Sequence, residues 1–120
     1  METDYDGVTL TVIALADGST SLYLSNGGGV IGGHSHESVR QASQNFLRQA
    51  NDSLAGLKRC EIFPIPDTAQ TVFYVLTDSG MLTGGALEND LAQGTHPLSS
   101  LFHTGNGVVT EMRLMSGDDA

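Results

Sequence analysis

Apolar and polar positions alternate from Val8 to Ala16, with Val8, Leu10, Val12, Ala14 and Ala16 set against Thr9, Thr11, Ile13 and Leu15. A period of two belongs to a strand, here with one wholly apolar face and a second that turns apolar halfway along. Asp17-Gly18-Ser19 supplies turn residues, and Thr20 to Ser25 continues as a second strand with Leu22 and Leu24 opposite Tyr23, so the pair predicts a hairpin. Asn26 to Ser35 is too rich in glycine for regular structure and is expected to be a loop or a bulged continuation of the strand. The period then changes. Val39, Ala42, Ser43, Phe46, Leu47, Ala50, Leu54 and Leu57 recur at three- and four-residue spacing, which predicts an amphipathic helix. Ser35 suits its N-cap, Glu37 its first turn and Gly56 its stop.

Cys60 to Ile65 predicts a short strand that Pro64 and Pro66 mark as an edge or an ending. Thr71 to Thr77 is apolar nearly throughout, as a central strand would be, and Asp78-Ser79-Gly80 turns it back into Met81 to Leu87. Gly84 and Gly85 there suggest a bulge or a close backbone approach, and Glu88 to Thr95 reads as a loop. Residues 97–115 admit two readings. Leu98, Leu101, Phe102, Gly105, Val108, Val109 and Met112 form one helical stripe behind Pro97, whereas Gly105-Asn106-Gly107 followed by alternating Val108, Thr110, Met112 and Leu114 fits a turn and a strand. The stripe favours the helix, because its burial outweighs the roughly 1 kcal/mol that each glycine costs there.

The order β-β-α-β-β-β-α predicts an α+β class, with a mainly antiparallel five-stranded sheet and two packed helices. This element order resembles the profilin-like layout of roadblock and longin domains over most of the chain, although the longer opening helix usual in roadblock proteins is missing. The resemblance implies a non-catalytic scaffold for protein contacts and dimerisation. The 120 residues suit one domain spanning 1–120, with polar and acidic segments 1–7 and 116–120 expected to be flexible ends. Five Lys plus Arg against 14 Asp plus Glu give a formal charge of −9, a surface that repels nucleic acid and anionic lipid. No apolar run is long enough for a membrane span, and Glu2, Asp4 and Asp6 stand where a secretory signal would carry Lys or Arg, so a cytoplasmic, bacterial-type protein is expected. A single cysteine excludes an intramolecular disulfide and sites built mainly of thiolates.

Candidate chemistry concentrates after the second strand. Gly27, Gly29 and Gly32 fit G-x-G-x-x-G, and with Gly28 and Gly33 they could let a backbone approach a phosphate; a tight or flexible connection explains the same letters. His34 and His36 could offer two imidazoles to a metal, with Glu37, His96 or His103 as a third ligand, or could be ordinary histidines around a helix cap. Val30 and Ile31 stand between glycines, where a partner could cover them or where they could complete the core. No Gly-x-Ser-x-Gly elbow occurs, Cys60 reads as a small buried hydrophobe, and Glu88 with Asp90 or Asp118 with Asp119 read as solvated carboxylates. The expectation is a non-enzymatic protein-interaction or dimerisation domain, a homodimer, with no cofactor implied. The alternative is a small-ligand or metal-binding protein using the Gly27–Gly33 loop with His34 and His36.

Overall fold

The computed structural model describes residues 1–32 and 36–116. Seven strands form one antiparallel sheet: β1 (Glu2–Tyr5), β2 (Val8–Ala14), β3 (Thr20–Leu24), β4 (Gly29–Ile31), β5 (Lys58–Arg59), β6 (Gln70–Thr77) and β7 (Gly80–Leu87), in the order β4-β3-β2-β1-β6-β7-β5. Three helices accompany them: α1 (Glu37–Asp52), the short α2 (Glu88–Ala92) and α3 (Ser99–Met115). The α+β class and the antiparallel sheet agree with the sequence reading, while the count of five strands does not.

The largest correction lies at the amino-terminal end. Glu2–Tyr5, read from composition as part of a flexible end, is the strand that joins the two halves of the sheet, paired with β2 on one side and β6 on the other. Glu2, Thr3 and Asp4 each have a polar partner within the protein. Thr3 Oγ1 and Thr71 Oγ1 lie 2.8 Å apart in the core, Thr11 Oγ1 donates to Glu2 Oε2 at 2.8 Å, and Asp4 accepts from the backbone N–H groups of Gly7 at 3.2 Å and Ala69 at 3.0 Å. Asp6 and Gly7, both at positive φ (51° and 84°), make the two-residue turn into β2.

The other differences are local: α1 stops at Asp52 and a separate 3-10 turn covers Leu54–Gly56, although the apolar stripe runs on to Leu57, and Glu88–Ala92, within the stretch read as a loop, is the third helix, α2. The glycine run forms a hairpin turn, with Leu24 N–H donating to Gly28 C=O and Gly27 N–H to Leu24 C=O, and then the edge strand β4. The strand expected over 60–65 shrinks to Lys58–Arg59, since Pro64 and Pro66 cannot donate to a ladder. Instead the segment is tethered by Tyr74, whose hydroxyl donates to Pro64 C=O at 2.6 Å and whose ring meets Phe63 edge-on at 5.5 Å.

Helix α1 buries Val39, Ser43, Phe46 and Ala50 along one face. Within 97–115 the chain forms a helix from Ser99 to Met115 that buries Leu101, Phe102, Gly105, Val108, Val109 and Met112 against α1 and the sheet, so the continuous stripe prevails over the two glycines. Those glycines are not equivalent. A Cβ at Gly105 would sit 2.6 Å from Met1 Sδ and 3.1 Å from Phe46 Cε1, whereas one at Gly107 meets nothing within 4 Å. Gly107→Ala is therefore expected to raise the unfolding free energy by about 1 kcal/mol, and Gly105→Ala to lower it. Urea denaturation of the two variants beside the parent checks the opposite signs.

Candidate functional site

The strand register sorts side chains onto two faces. Thr3, Leu10, Val12, Leu22, Thr71 and Phe73 share the face beneath α1 and α3 and are buried, joined there by Leu91 of α2. The opposite face holds Thr9, Thr11, Ile13, Tyr23, Ile31, Tyr74, Leu76 and Leu87, with Leu15 continuing the series beyond the end of β2. Several of its apolar side chains are open to solvent: Ile13 is 42% exposed, Leu15 51%, Tyr23 45%, Ile31 68% and Leu76 77%. The extended segment beside β6 adds Ile62, Phe63 and Ile65, all exposed. A sheet with one buried and one solvated face normally turns polar residues outward, so this face departs from the ordinary pattern.

Part of the open face is a slot through the sheet. Strand β1 is shorter than its neighbours; Met1 pairs with Val12, its amine donating to Val12 C=O at 3.1 Å and its carbonyl accepting from Val12 N–H at 2.9 Å. Beyond that pair, Ile13–Ala16 and Tyr74–Leu76 line opposite sides of a gap. A cavity of about 650 Å³ occupies the gap, walled by those residues, floored by Met1, backed by Phe46, Leu47, Ala50 and Leu101, and rimmed by Phe63 and Met81. A second cavity, about 610 Å³, lies between α3 and the β3–β4 end, where Leu10, Leu22, Leu24 and Val30 meet Asn106, Thr110 and Arg113.

Burial lowers the pKa of the Met1 amine from 8.0 to about 6, with nearby Glu2 opposing the shift. The unfolded chain therefore holds more protons between pH 6 and 8, and stability must rise with pH through that window. Unfolding free energy is expected to be about 2 kcal/mol lower at pH 5.5 than at pH 8.5 on this account. Denaturation of the chain with Met1 acetylated should lack that component of the slope. At the other end of β1, burial first and Asp4 second raise the Glu88 carboxyl, and burial followed by Glu88 raises the Tyr5 phenol against the opposing pull of Arg113. This group of Asp4, Tyr5, Glu88 and Arg113 has no counterpart in the sequence reading, because turns and helices separated along the chain bring it together.

The residues singled out in the sequence are dispersed. Gly27 and Gly28 form the β3–β4 turn, Gly29 lies in β4 opposite Tyr23, and Gly32 follows the strand at positive φ (84°). The stretch is a hairpin and not the strand-to-helix unit in which G-x-G-x-x-G cradles a pyrophosphate. Gly33 and His34, with Ser35, lie outside the described residues, as do Asp118 and Asp119. His36 stands at the α1 N-cap without a side-chain cap bond, and His96 Nδ1 accepts from Leu98 N–H at 3.0 Å ahead of α3. Among the described residues no three His, Cys, Asp or Glu side chains are grouped to hold a metal. Val30 and Ile31 take opposite faces, Val30 packing on the core and lining the second cavity while Ile31 joins the open face. Cys60 is partly buried, its N–H donating to Met81 C=O. No described helix is long and apolar enough to cross a membrane.

No protein-family model, no curated protein and no solved structure matches this chain.

Proposed function

We propose that the protein acts by contact, as a cytoplasmic homodimerising scaffold that uses the open face of its sheet. The observation that carries this reading is the continuity of Ile13, Leu15, Phe63, Leu76 and Met81 around one opening on the face that no described helix covers. Apolar surface concentrated in this way gains free energy when another protein displaces its water, at roughly 25 cal/mol per Å². The formal charge of −9 supports a protein partner over nucleic acid or an anionic membrane. The profilin-like, roadblock or longin-type architecture belongs to the same proposal: β2, β3, α1, β5, β6, β7 and α3 follow that order, with β1, β4 and α2 added.

Light scattering of purified protein over a concentration series tests the reading. Self-association is expected in the parent chain, and Leu76→Asp or Ile13→Asp should weaken it at least tenfold while leaving the unfolding free energy within about 0.5 kcal/mol, as surface substitutions do. A monomer at millimolar concentration would overturn self-association.

A second reading has its own observation. The cavity beside Gly29 and Val30 combines an apolar floor with Asn106, Thr110 and Arg113, the composition of a small-molecule site. Ligand-induced amide shifts at Gly29, Val30 and Thr110 would favour it over protein contact.

A further inference from the structure

Asn-Gly occurs twice in the chain, at Asn26-Gly27 and Asn106-Gly107, and the fold places the two in opposite circumstances. A glycine after asparagine has no Cβ to shield its amide nitrogen from the preceding carboxamide, the labile group of the pair. Once the proton of that nitrogen has passed to a base in water, the nitrogen bonds to the asparagine Cγ; the Cγ–N bond of the carboxamide breaks and ammonia leaves. Water then opens the cyclic imide. Addition at Cγ gives aspartate, and addition at the main-chain carbonyl gives isoaspartate, in which the main chain runs through Cβ and Cγ. One water is consumed, one ammonia is released, and nothing is oxidised or reduced.

Asn26 and Gly27 form the exposed tip of the β3–β4 hairpin, with Gly27 at φ 108°. The turn is anchored on either side of them. Ser25 donates its N–H to Thr9 C=O at 2.9 Å and accepts Thr9 N–H on Oγ at 2.8 Å, while Leu24 N–H donates to Gly28 C=O at 2.9 Å. At the tip the reacting nitrogen donates to Leu24 C=O at 3.0 Å. Breaking that bond uncovers no core, so the reactive geometry is reached by a local opening of the turn. Asn106 and Gly107 lie instead in the middle of α3, between buried Gly105 and buried Val108. A helical side chain leans toward the N-terminus of its helix, so the Asn106 carboxamide leans away from the nitrogen that follows it. Freeing that nitrogen means opening a helix that buries Leu101, Phe102, Val108, Val109 and Met112.

We propose that Asn26 is a site of spontaneous deamidation in the folded protein, and that its isoaspartyl form releases β4 from the sheet. Isoaspartate adds a main-chain carbon between Leu24 and Gly28, the pair that closes the hairpin. Strand β4 has three residues and pairs with β3 alone, so no second neighbour holds its register. Its release withdraws Val30 from the core and Ile31 from the open face.

Intact mass, which reads the replacement of NH2 by OH, is followed for the parent, Asn26→Gln and Asn106→Gln in mildly alkaline buffer, folded and in urea. Gln fits both positions, since Asn26 is not at positive φ and Asn106 is helical. Folded Asn106→Gln is expected to react as the parent does and folded Asn26→Gln at least tenfold more slowly, whereas in urea the two variants react at similar rates. A folded Asn26→Gln within tenfold of the parent would overturn the site. So would a folded parent that stays unreacted while the urea sample is converted. The isoaspartyl fraction, separated by chromatography, is expected to exchange the Leu24 and Val30 amide hydrogens at least tenfold faster than the fresh chain, with Val75 and Leu82 unchanged. Asn26→Asp, which carries the charge without the extra carbon, should exchange as the fresh chain does. Equal exchange at Leu24 and Val30 in the isoaspartyl form and in Asn26→Asp would overturn the release of β4.

Discussion

Asp4→Ala is expected to lower the unfolding free energy by about 3 kcal/mol. Its buried carboxylate accepts from Gly7 N–H in the β1–β2 turn and from Ala69 N–H in the turn entering β6, tying together segments 65 residues apart in sequence. Removing it strands two backbone donors and releases Ala69, a non-glycine residue held at φ 58°. It also takes away the negative charge that helps to raise Glu88, so the Glu88 carboxyl should titrate at lower pH in the variant. Urea denaturation gives the first quantity and carboxyl-detected NMR titration the second. Asp4→Asn, which keeps an acceptor of the same shape, should lose distinctly less.

Gly85→Ala is the second large effect, expected to cost about 3 kcal/mol by overpacking. A Cβ there would lie 2.5 Å from Thr71 C=O and 3.2 Å from Val72 Cα, which are backbone atoms of the paired strand and cannot rotate aside. At neighbouring Gly84 the obstacles are the ends of Leu57 and Leu98 at 2.7 and 3.1 Å, side chains with some freedom to repack. Gly84→Ala is thus expected to be the milder variant, and thermal denaturation of the pair checks the order.

These two sites show unequal legibility. The paired glycines raised a bulge or a close approach in the sequence, and the uninterrupted register from Gln70–Leu87 to Thr77–Gly80 leaves the close approach. Asp4 lay in a segment judged by composition, which counts Glu2, Thr3 and Asp4 as water-seeking without knowing that Thr11, Thr71 and Ala69 stand ready to receive them. A local signal was present nonetheless: Asp6-Gly7 is a preferred dipeptide of two-residue hairpins, followed directly by the alternating Val8–Ala14. The hairpin of β2 and β3, helix α1 and the β6–β7 hairpin were legible because period and turn chemistry agree locally. Helix α2 was not, being a single short turn whose only buried anchor is Leu91. Ile31 was legible as an exposed apolar residue, and the period-two geometry of β4 explains why Val30 went the other way. The cavity between β2 and β6 was beyond a local reading, since its walls, Ile13–Ala16 and Tyr74–Leu76, lie some sixty positions apart in sequence.

The proposed contact function turns on which face of the sheet meets another molecule. Methyl NMR of the unmodified protein, followed from micromolar to millimolar concentration, addresses that question residue by residue. The resonances of Ile13, Leu15, Ile31 and Leu76 should move together with increasing concentration while those of Val12, Val39 and Leu101 stay fixed. Open-face methyls that hold still across the whole range, or changes confined to the exposed surfaces of α1 and α3, would contradict it.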